Sequence, residues 1–221
     1  MIEFKRSYFS KDSKVLTLLP EFLFPNSFII LNDLSEKNGG IIKTSDAKEL
    51  NISKTYFLEY IRDNDFEKVA RGIYLSPDAW KDDLFIIQQR FPGIIYSHNV
   101  ALFLLEMTDK EPEKYSATVR RGYNSTALKE QGVKVFNVKR EWFDIGTTVA
   151  MTTMGHEVRI YSPERTICDI LRPNTNVDLQ NRQTALREYV HRKDKDIPTL
   201  MEYARIFMVE KILKQYLEVL L

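Results

Sequence analysis

Side chains that could perform catalysis or bind a metal are few in this sequence. The three histidines, His98, His156 and His191, are far apart, and no two of them have the spacing of ligands in a zinc site. The only cysteine, Cys168, lies in an apolar run that predicts a helix, where a buried structural thiol is expected rather than a nucleophile. The pair Gly39-Gly40 fits the end of a helix better than a phosphate-binding loop. We therefore expect no catalytic residue, no bound metal and no cofactor.

Asp144, Glu157 and Arg159 form the one group that resembles a catalytic set. An Asp…Glu-x-Lys pattern is typical of metal-dependent nucleases, and Glu157 and Arg159 would share one face of a strand. Arginine replaces the usual lysine, however, and its guanidinium does not give up a proton to act as a base. A metal-dependent nuclease is therefore kept as an alternative hypothesis. A further alternative is an interaction module that binds a partner protein directly.

The composition is that of an ordinary globular protein, with 43% hydrophobic and 29% charged residues in a chain of 221. The first residues carry early charges and lack the apolar core of a signal peptide. No stretch approaches the roughly 20 apolar residues that span a bilayer. We therefore expect a cytoplasmic protein that does not bind membranes.

Three short helices are predicted in residues 27–63. Ser27 fits the cap of a first helix, which ends at Asn38-Gly39-Gly40. Thr44 is predicted to cap a second helix and Ser53 to cap a third. The apolar residues of the third helix recur at the spacing of one helical face, which indicates an amphipathic helix with a solvent side.

A β-hairpin is predicted directly after these helices. The runs Phe66–Val69 and Ile73–Leu75 are β-prone, and Arg71-Gly72 between them fits a tight turn. Three helices followed by a hairpin is the order of a winged helix-turn-helix, in which the third helix enters the major groove of DNA. The sequence therefore predicts a DNA-binding domain.

The predicted DNA contacts lie on the third helix and on the hairpin. The solvent side of the helix is expected to present Ser53, Lys54, Thr55, Tyr56 and Tyr60. The tip of the hairpin, the wing, is expected to offer Lys68 and Arg71 to the DNA backbone or the minor groove. Charge adds no support in this half, since residues 1–90 contain 13 basic and 14 acidic residues.

Positive charge is concentrated in the second half of the chain. Residues 110–140 contain eight basic and three acidic residues, and residues 182–195 contain five basic and two acidic ones. Such a bias favours contact with a phosphate backbone. We therefore expect further DNA contacts at Arg120, Arg121, Lys129 and Lys134. Because a single winged helix reads a short site, we also expect cooperative self-association on inverted half-sites of double-stranded DNA.

The remaining chain predicts a mixed α/β domain. A helix is expected from Ser76-Pro77 to Arg90, followed by strands and helices and then by terminal helices. The predicted fold is therefore α+β. Residues 1–90 would form the winged helix-turn-helix with an N-terminal extension of about 26 residues, and residues 91–221 a larger mixed α/β domain that ends in helices.

The helix that is predicted to begin at Ser162-Pro163-Glu164 contains two charged residues that can stabilise each other. Arg165 and Asp169 are four residues apart, which places them on one helical face, where they can form an ion pair. We therefore predict a structural role for this pair and no catalytic one.

Three segments resemble the AbiEi-type antitoxin family of type IV toxin–antitoxin, or abortive phage infection, systems. They are GGIIKTSDAKELNIS with KVARGIYL, from Gly39 onwards; RFPGIIYSHNVALFLLEMTDKEP, from Arg90; and SPERTICDILRP, from Ser162. The resemblance implies a transcriptional autorepressor that binds operator DNA upstream of its own operon. It also implies an antitoxin for antiviral defence, which neutralises a nucleotidyltransferase-like toxin without a stable complex. The N-terminal extension departs from the family pattern.

Overall fold

The computed structural model describes residues 24–173, 175 and 177–220. Within these ranges the protein is a mixed α/β structure with two β-sheets, in agreement with the predicted mixture of helices and strands. The predictions made for residues 1–23 lie outside these ranges. None of the helices that the described ranges contain is long and apolar enough to cross a membrane.

The first sheet belongs to an N-terminal unit of three helices and three strands. The elements are α1 (Phe24–Lys37), β1 (Ile41–Lys43), α2 (Thr44–Glu49), α3 (Lys54–Asp63), β2 (Glu67–Ala70) and β3 (Ile73–Leu75). The three strands pair antiparallel in the order β1-β3-β2. The predicted hairpin is therefore present, and the short strand after the first helix completes its sheet.

Side-chain caps define the starts of α2 and α3. Ser53 caps α3 as predicted, since its hydroxyl accepts the N–H of Tyr56 at 3.2 Å. The N-cap position of α2 is Lys43 rather than the predicted Thr44, since the backbone of Lys43 is extended, and its N–H donates to the carboxylate of Asp46 at 3.3 Å. Local side-chain chemistry therefore places both helix starts within one residue of the prediction.

The segment after the first sheet differs from the prediction. The sequence predicts a helix from Ser76-Pro77 onwards, but α4 (Asp83–Arg90) begins only at Asp83. The N–H of Ser76 donates to the carbonyl of Gly40 at 2.8 Å, which continues the pairing of β1 with β3. Asp82 caps α4 instead, since its carboxylate accepts the N–H of Phe85 at 3.0 Å. Ser76 therefore belongs to the sheet pairing and does not cap a helix, although the sequence predicts it as a cap.

A second, five-stranded sheet forms the centre of the remaining chain. Its strands are β4 (Ile95–Tyr96), β5 (Ser116–Arg120), β6 (Lys134–Val138), β7 (Thr147–Met151) and β8 (Glu157–Tyr161). They lie in the order β6-β5-β4-β8-β7, with parallel pairs β5-β6 and β4-β8 and antiparallel pairs β4-β5 and β7-β8. The sequence predicts strands in this part of the chain, whereas it does not predict the order in which they pair.

Seven helices of the described ranges accompany this sheet. They are α5 (Asn99–Leu104), α6 (Thr126–Glu130), α7 (Arg140–Phe143), α8 (Pro163–Leu171), α9 (Leu179–His191), α10 (Ile197–Ile206) and α11 (Glu210–Leu220). Every residue from Glu164 to Leu171 in α8 is buried, and the apolar ones pack in a cluster with residues of α9, α10 and α11. The terminal helices therefore surround α8, the helix that carries Arg165 and Asp169.

Helix α4 joins the two sheets in one apolar core. Phe85 packs in a cluster that contains Ile73 of the first sheet and Val158 of the second. The side chain of Gln88 donates to the carbonyl of Arg159 at 2.9 Å and accepts its N–H at 2.7 Å. The predicted domain boundary at residue 90 thus follows a helix that contacts both sheets, and the division into two domains stays a prediction.

Candidate nucleic-acid interface

Helix α3 presents its first turn to solvent. Lys54 and Thr55 are exposed, and Ser53 is exposed while its hydroxyl caps the helix. Tyr56 is half-buried and packs against the apolar cluster beneath the helix. An exposed first turn is what a reading helix requires, because its N-terminal residues contact base edges in the major groove.

Tyr60 does not lie on the solvent side of α3, and its prediction as a DNA contact is wrong. Its side chain is only 5% exposed, and its hydroxyl donates to Oδ1 of Asn32 on α1 at 2.5 Å. Burial raises the pKa of this hydroxyl. Tyr60 follows Phe57 by three residues and precedes Ile61, so all three share the helical face that packs on the core. Its role is to join α3 to α1.

The hairpin β2-β3, which the sequence predicts as a wing, exposes two cations to solvent. Lys68 on β2 and Arg71 in the turn are both exposed, and neither forms an ion pair with any residue of the described ranges. The turn is fastened to the start of α2, since the carbonyl of Gly72 accepts the N–H of Thr44 at 2.8 Å. Gly72 has a φ of +72°, a conformation that residues with a Cβ rarely adopt. The backbone at Arg71 is therefore held in a defined position beside α2.

The four basic residues predicted as additional DNA contacts lie in two separate places. Arg120 and Arg121 are at the carboxyl end of β5, which runs parallel to β6. Lys134 is at the opposite end of this pair, about 13 Å away along the strand. Lys129 of α6 lines the same cleft as Lys134. The structure therefore brings the four residues together as two pairs and not as one patch.

Arg120 and Arg121 differ in what they contact. The guanidinium of Arg120 forms two hydrogen bonds to the carboxylate of Asp144, at 3.0 and 3.1 Å, and lies 4.7 Å from the ring centre of Phe143. The side chain of Arg121 is exposed and has no partner in the part of the chain that the structure describes. Arg121 is thus the one whose charge is fully available to a phosphate.

The residues of the nuclease hypothesis are not assembled into a site. Asp144 precedes β7 and Glu157 begins β8, so the antiparallel pairing puts Asp144 near the far end of β8, about 13 Å from Glu157. The guanidinium of Arg159 donates to two backbone carbonyls in the segment before β4. No cluster of His, Cys, Asp and Glu within the described ranges could hold a metal ion. The three side chains therefore have separate, structural surroundings.

Arg165 and Asp169 form the predicted ion pair in the buried interior. Nε of Arg165 donates to Oδ2 of Asp169 at 3.0 Å, and Nη1 donates to two carbonyls of segment 142–145, at 2.7 and 2.8 Å. The guanidinium also lies 4.1 Å from the ring centre of Tyr161 and 3.9 Å from that of Phe207. One buried cation thus connects α8, the end of α7, β8 and the loop after α10.

His156 links the N-terminal unit to the second sheet, a contact that the sequence does not reveal. It lies in the turn between β7 and β8. Its Nδ1 is 2.8 Å from the carboxylate of Asp82, and its Nε2 is 3.0 Å from the carbonyl of Asn38. The ring stacks on Phe85 with centres 4.6 Å apart. This histidine therefore holds the end of α1 and the start of α4 against the second sheet.

Comparison with known families confirms part of the resemblance. Residues 30–77 match a family described as "Transcriptional regulator, AbiEi antitoxin", which is a regulatory family and not a family of enzymes. The matched range extends from α1 to just beyond β3 and includes the first of the three resembling segments. A comparison with curated proteins gives no match.

A solved structure with a similar fold is the crystal structure of the RV2827C protein from Mycobacterium tuberculosis. The similarity has a TM-score of 0.52 at 11% sequence identity and covers 86% of this chain and 79% of that one. Such coverage includes residues of both sheets. At this identity the likeness is one of fold.

Proposed function

We propose that this chain, whose residues 30–77 form a domain of the AbiEi antitoxin family of transcriptional regulators, represses its own operon by binding operator DNA. The observation that carries the proposal is the element order α1-β1-α2-α3-β2-β3 with the sheet order β1-β3-β2. This order is the one expected of a winged helix-turn-helix, in which α3 would be the reading helix and the hairpin β2-β3 the wing.

The exposed residues of α3 and the wing supply the DNA contacts. Lys54 and Thr55 suit hydrogen bonds to base edges and phosphates, and the start of a helix favours an anion. Tyr56 contributes the exposed part of its side chain, and Ser53 acts mainly by capping the helix. Arg71 and Lys68 bind the backbone or the minor groove from the wing.

Replacing Lys54 and Arg71 together by alanine should weaken operator binding roughly 100-fold, because each lost contact contributes roughly 1–3 kcal/mol. The measurement is a footprint or mobility-shift titration on the promoter of the chain's own operon. Lys37→Ala, which removes an exposed lysine at the end of α1, is the matched control and should leave the affinity unchanged. Tyr56 is better tested as Tyr56→Phe, because alanine would also remove its packing on the core.

We assign toxin neutralisation to residues 91–221, because the proposed reading helix and wing lie outside this part of the chain, which is larger than a second DNA-contact surface requires. The toxin would be nucleotidyltransferase-like and would form no stable complex. The Lys54→Ala/Arg71→Ala variant, expressed from a foreign promoter, should therefore still rescue cells from the toxin. A truncation at residue 90 is less suitable, because α4 packs on both sheets and would lose one of its partners.

Two results of this experiment would contradict the proposal. Unchanged operator affinity in the double variant would show that α3 and the wing do not read DNA. Loss of both operator binding and rescue in a folded variant would show that DNA binding is itself the route of neutralisation. Co-purification of an untagged toxin with the tagged chain would instead favour direct binding of the partner protein.

The basic end of β5 is proposed as a second DNA-contact surface. Arg121→Ala should reduce the slope of log affinity against log salt concentration by about 1, as expected for one lost phosphate contact. Arg120→Ala should reduce it by less, because Asp144 already neutralises that guanidinium. The control is Lys211→Ala, an exposed lysine on α11. An unchanged slope in Arg120→Ala/Arg121→Ala would show that this end of the sheet does not face DNA.

A further inference from the structure

A polar cleft opens at the start of β6, on a part of the molecule that the proposed DNA reading does not require. It has a volume of about 590 Å³ and is bounded by the β4–α5 connection, segment 110–116, the start of β6 and the start of α9. This volume lies within the range of pockets that hold small molecules, roughly 300–1,000 Å³. The cleft is therefore large enough for a ligand of nucleotide size.

His98 lies at the bottom of this cleft in a strained conformation. The residue is 5% exposed, and its ring stacks on Phe136 with centres 3.6 Å apart. Its φ of +52° and ψ of −123° are rare for a residue with a side chain. Strain of this kind persists only where the surroundings impose it, and it is common at ligand sites.

The hydrogen bonds around His98 determine which ring nitrogen carries the proton. The hydroxyl of Thr118 donates to Oγ of Ser97 at 2.8 Å, and this Oγ is 2.9 Å from Nδ1 of His98. Thr118 is fully buried and has no other acceptor for its hydrogen in the described ranges. Ser97 likewise has no acceptor other than Nδ1 for its own hydrogen in the described ranges, so this hydrogen points to Nδ1 and the N–H of the neutral ring is on Nε2. Nε2 has no hydrogen-bond partner among the described residues.

The surroundings of His98 are cationic. Burial, together with the charges of Lys134, Arg172 and Arg165, lowers the pKa of His98 to about 3, so the ring is neutral at physiological pH. Nζ of Lys134 is 3.4 Å from the carbonyl of Thr175. An ammonium group has three N–H donors, so Lys134 keeps two of them for a ligand.

The acidic residues of the cleft lie at its rim. Glu111 and Glu113 are exposed, and Asp178 is 3.8 Å from Nζ of Lys110, which offsets its charge. Deeper in the cleft, Oδ1 of Asn99 is buried and has no hydrogen-bond partner within the described ranges. The interior therefore offers one neutral N–H donor, one cation and one unpaired acceptor.

We propose that this cleft binds the phosphate group of a small phosphorylated molecule. A phosphate oxygen accepts the Nε2–H of His98 and pairs with the ammonium of Lys134, and a hydroxyl of the ligand donates to Oδ1 of Asn99. Sugar phosphates and nucleotides combine these two groups. A concave site with its donor at the bottom fits a detached phosphate ester better than the convex backbone of duplex DNA. The inference thus extends beyond the proposed operator binding.

Isothermal titration calorimetry of the full chain at constant ionic strength tests this site with ribose 5-phosphate, inorganic phosphate and ribose. Ribose 5-phosphate should bind saturably at one site, and ribose should not bind. Lys134→Gln should weaken the binding at least about tenfold through loss of a charge-assisted hydrogen bond. Lys211→Gln on α11 is the matched control and should bind as the unaltered chain does. His98→Asn removes Nε2 with a residue that tolerates positive φ, and it should weaken binding similarly.

The titrations distinguish an organic phosphate from free phosphate as the ligand, and they also define the result that overturns the proposal. Tighter binding of ribose 5-phosphate than of inorganic phosphate identifies an organic phosphate as the ligand, and equal binding identifies free phosphate; both support a phosphate site. The proposal is overturned if neither probe saturates, or if Lys134→Gln and Lys211→Gln weaken binding equally. Should His98→Asn fail to fold by circular dichroism, the two lysine variants decide the question.

Discussion

Replacing Arg165 by methionine should lower the free energy of unfolding by roughly 3–5 kcal/mol. The side chains of Arg165 and Asp169 are 0% and 2% exposed, so the change leaves a carboxylate in the interior without its closest partner. It also removes the donor to two carbonyls of segment 142–145. Methionine fills much of the volume of arginine, so the loss reports mainly on the polar contacts and less on a cavity.

Urea unfolding followed by circular dichroism measures this loss, with Arg172→Met as the matched control. Nη1 of Arg172 is 3.6 Å from Oδ1 of Asp169, but the side chain is 29% exposed. Its replacement should therefore cost less than about 1 kcal/mol. Equal losses of unfolding free energy in the two variants would show that stability depends only on the net positive charge near Asp169. A loss below about 1 kcal/mol in Arg165→Met would contradict a structural role for the buried pair.

Features that depend on a few neighbouring residues could be predicted from the sequence. Ser53 and Ser162 cap their helices as expected, since each hydroxyl accepts an N–H three residues later. The ion pair of Arg165 with Asp169 follows from helical spacing in the same way. The burial of Tyr60 could also have been predicted, because it shares its helical face with Phe57 and Ile61.

Features that depend on distant pairing could not be predicted. Ser76 and Pro77 form a good helix start in isolation, but Ser76 pairs with Gly40 and the cap moves to Asp82. The contact of His156 with Asn38 and Asp82 joins three separate parts of the chain. No local sequence pattern indicates these contacts, because they form only when the strands of the two sheets are paired in their final order.

Charge counted along the sequence also differs from charge on the surface. Arg120 and Lys134 belong to the same basic stretch, yet they lie at opposite ends of two paired strands. The stretch therefore supplies a candidate DNA surface at one end, next to Arg121, and the cleft proposed to bind a phosphorylated molecule at the other. The sequence analysis finds no metal-ligand spacing for His98, and the structure leaves its Nε2 without a hydrogen-bond partner among the described residues.

The stability of the protein should fall by about 2 kcal/mol between pH 7 and pH 5 through His98 alone. The pKa of this histidine is about 3 in the folded protein, because burial and the three cations Lys134, Arg172 and Arg165 disfavour a charged ring. In the unfolded chain the pKa returns to its ordinary value near 6.5. The unfolded state therefore binds a proton in this pH range that the folded state does not.

The sign of this effect follows from the lowered pKa of the folded state. The contribution of His98 to stability is fully present above about pH 6.5, and it declines by about 1.4 kcal/mol for each pH unit below that value until about pH 3. His98→Asn removes the titrating ring and leaves the other ionisable side chains in place. Urea unfolding of both proteins at several pH values isolates the contribution as the difference between their slopes. The charges of Lys134, Arg172 and Arg165 oppose protonation of the ring in the folded protein. Parallel slopes in the two proteins would mean that the folded structure admits a charged His98, and its burial among cations would then not govern its protonation.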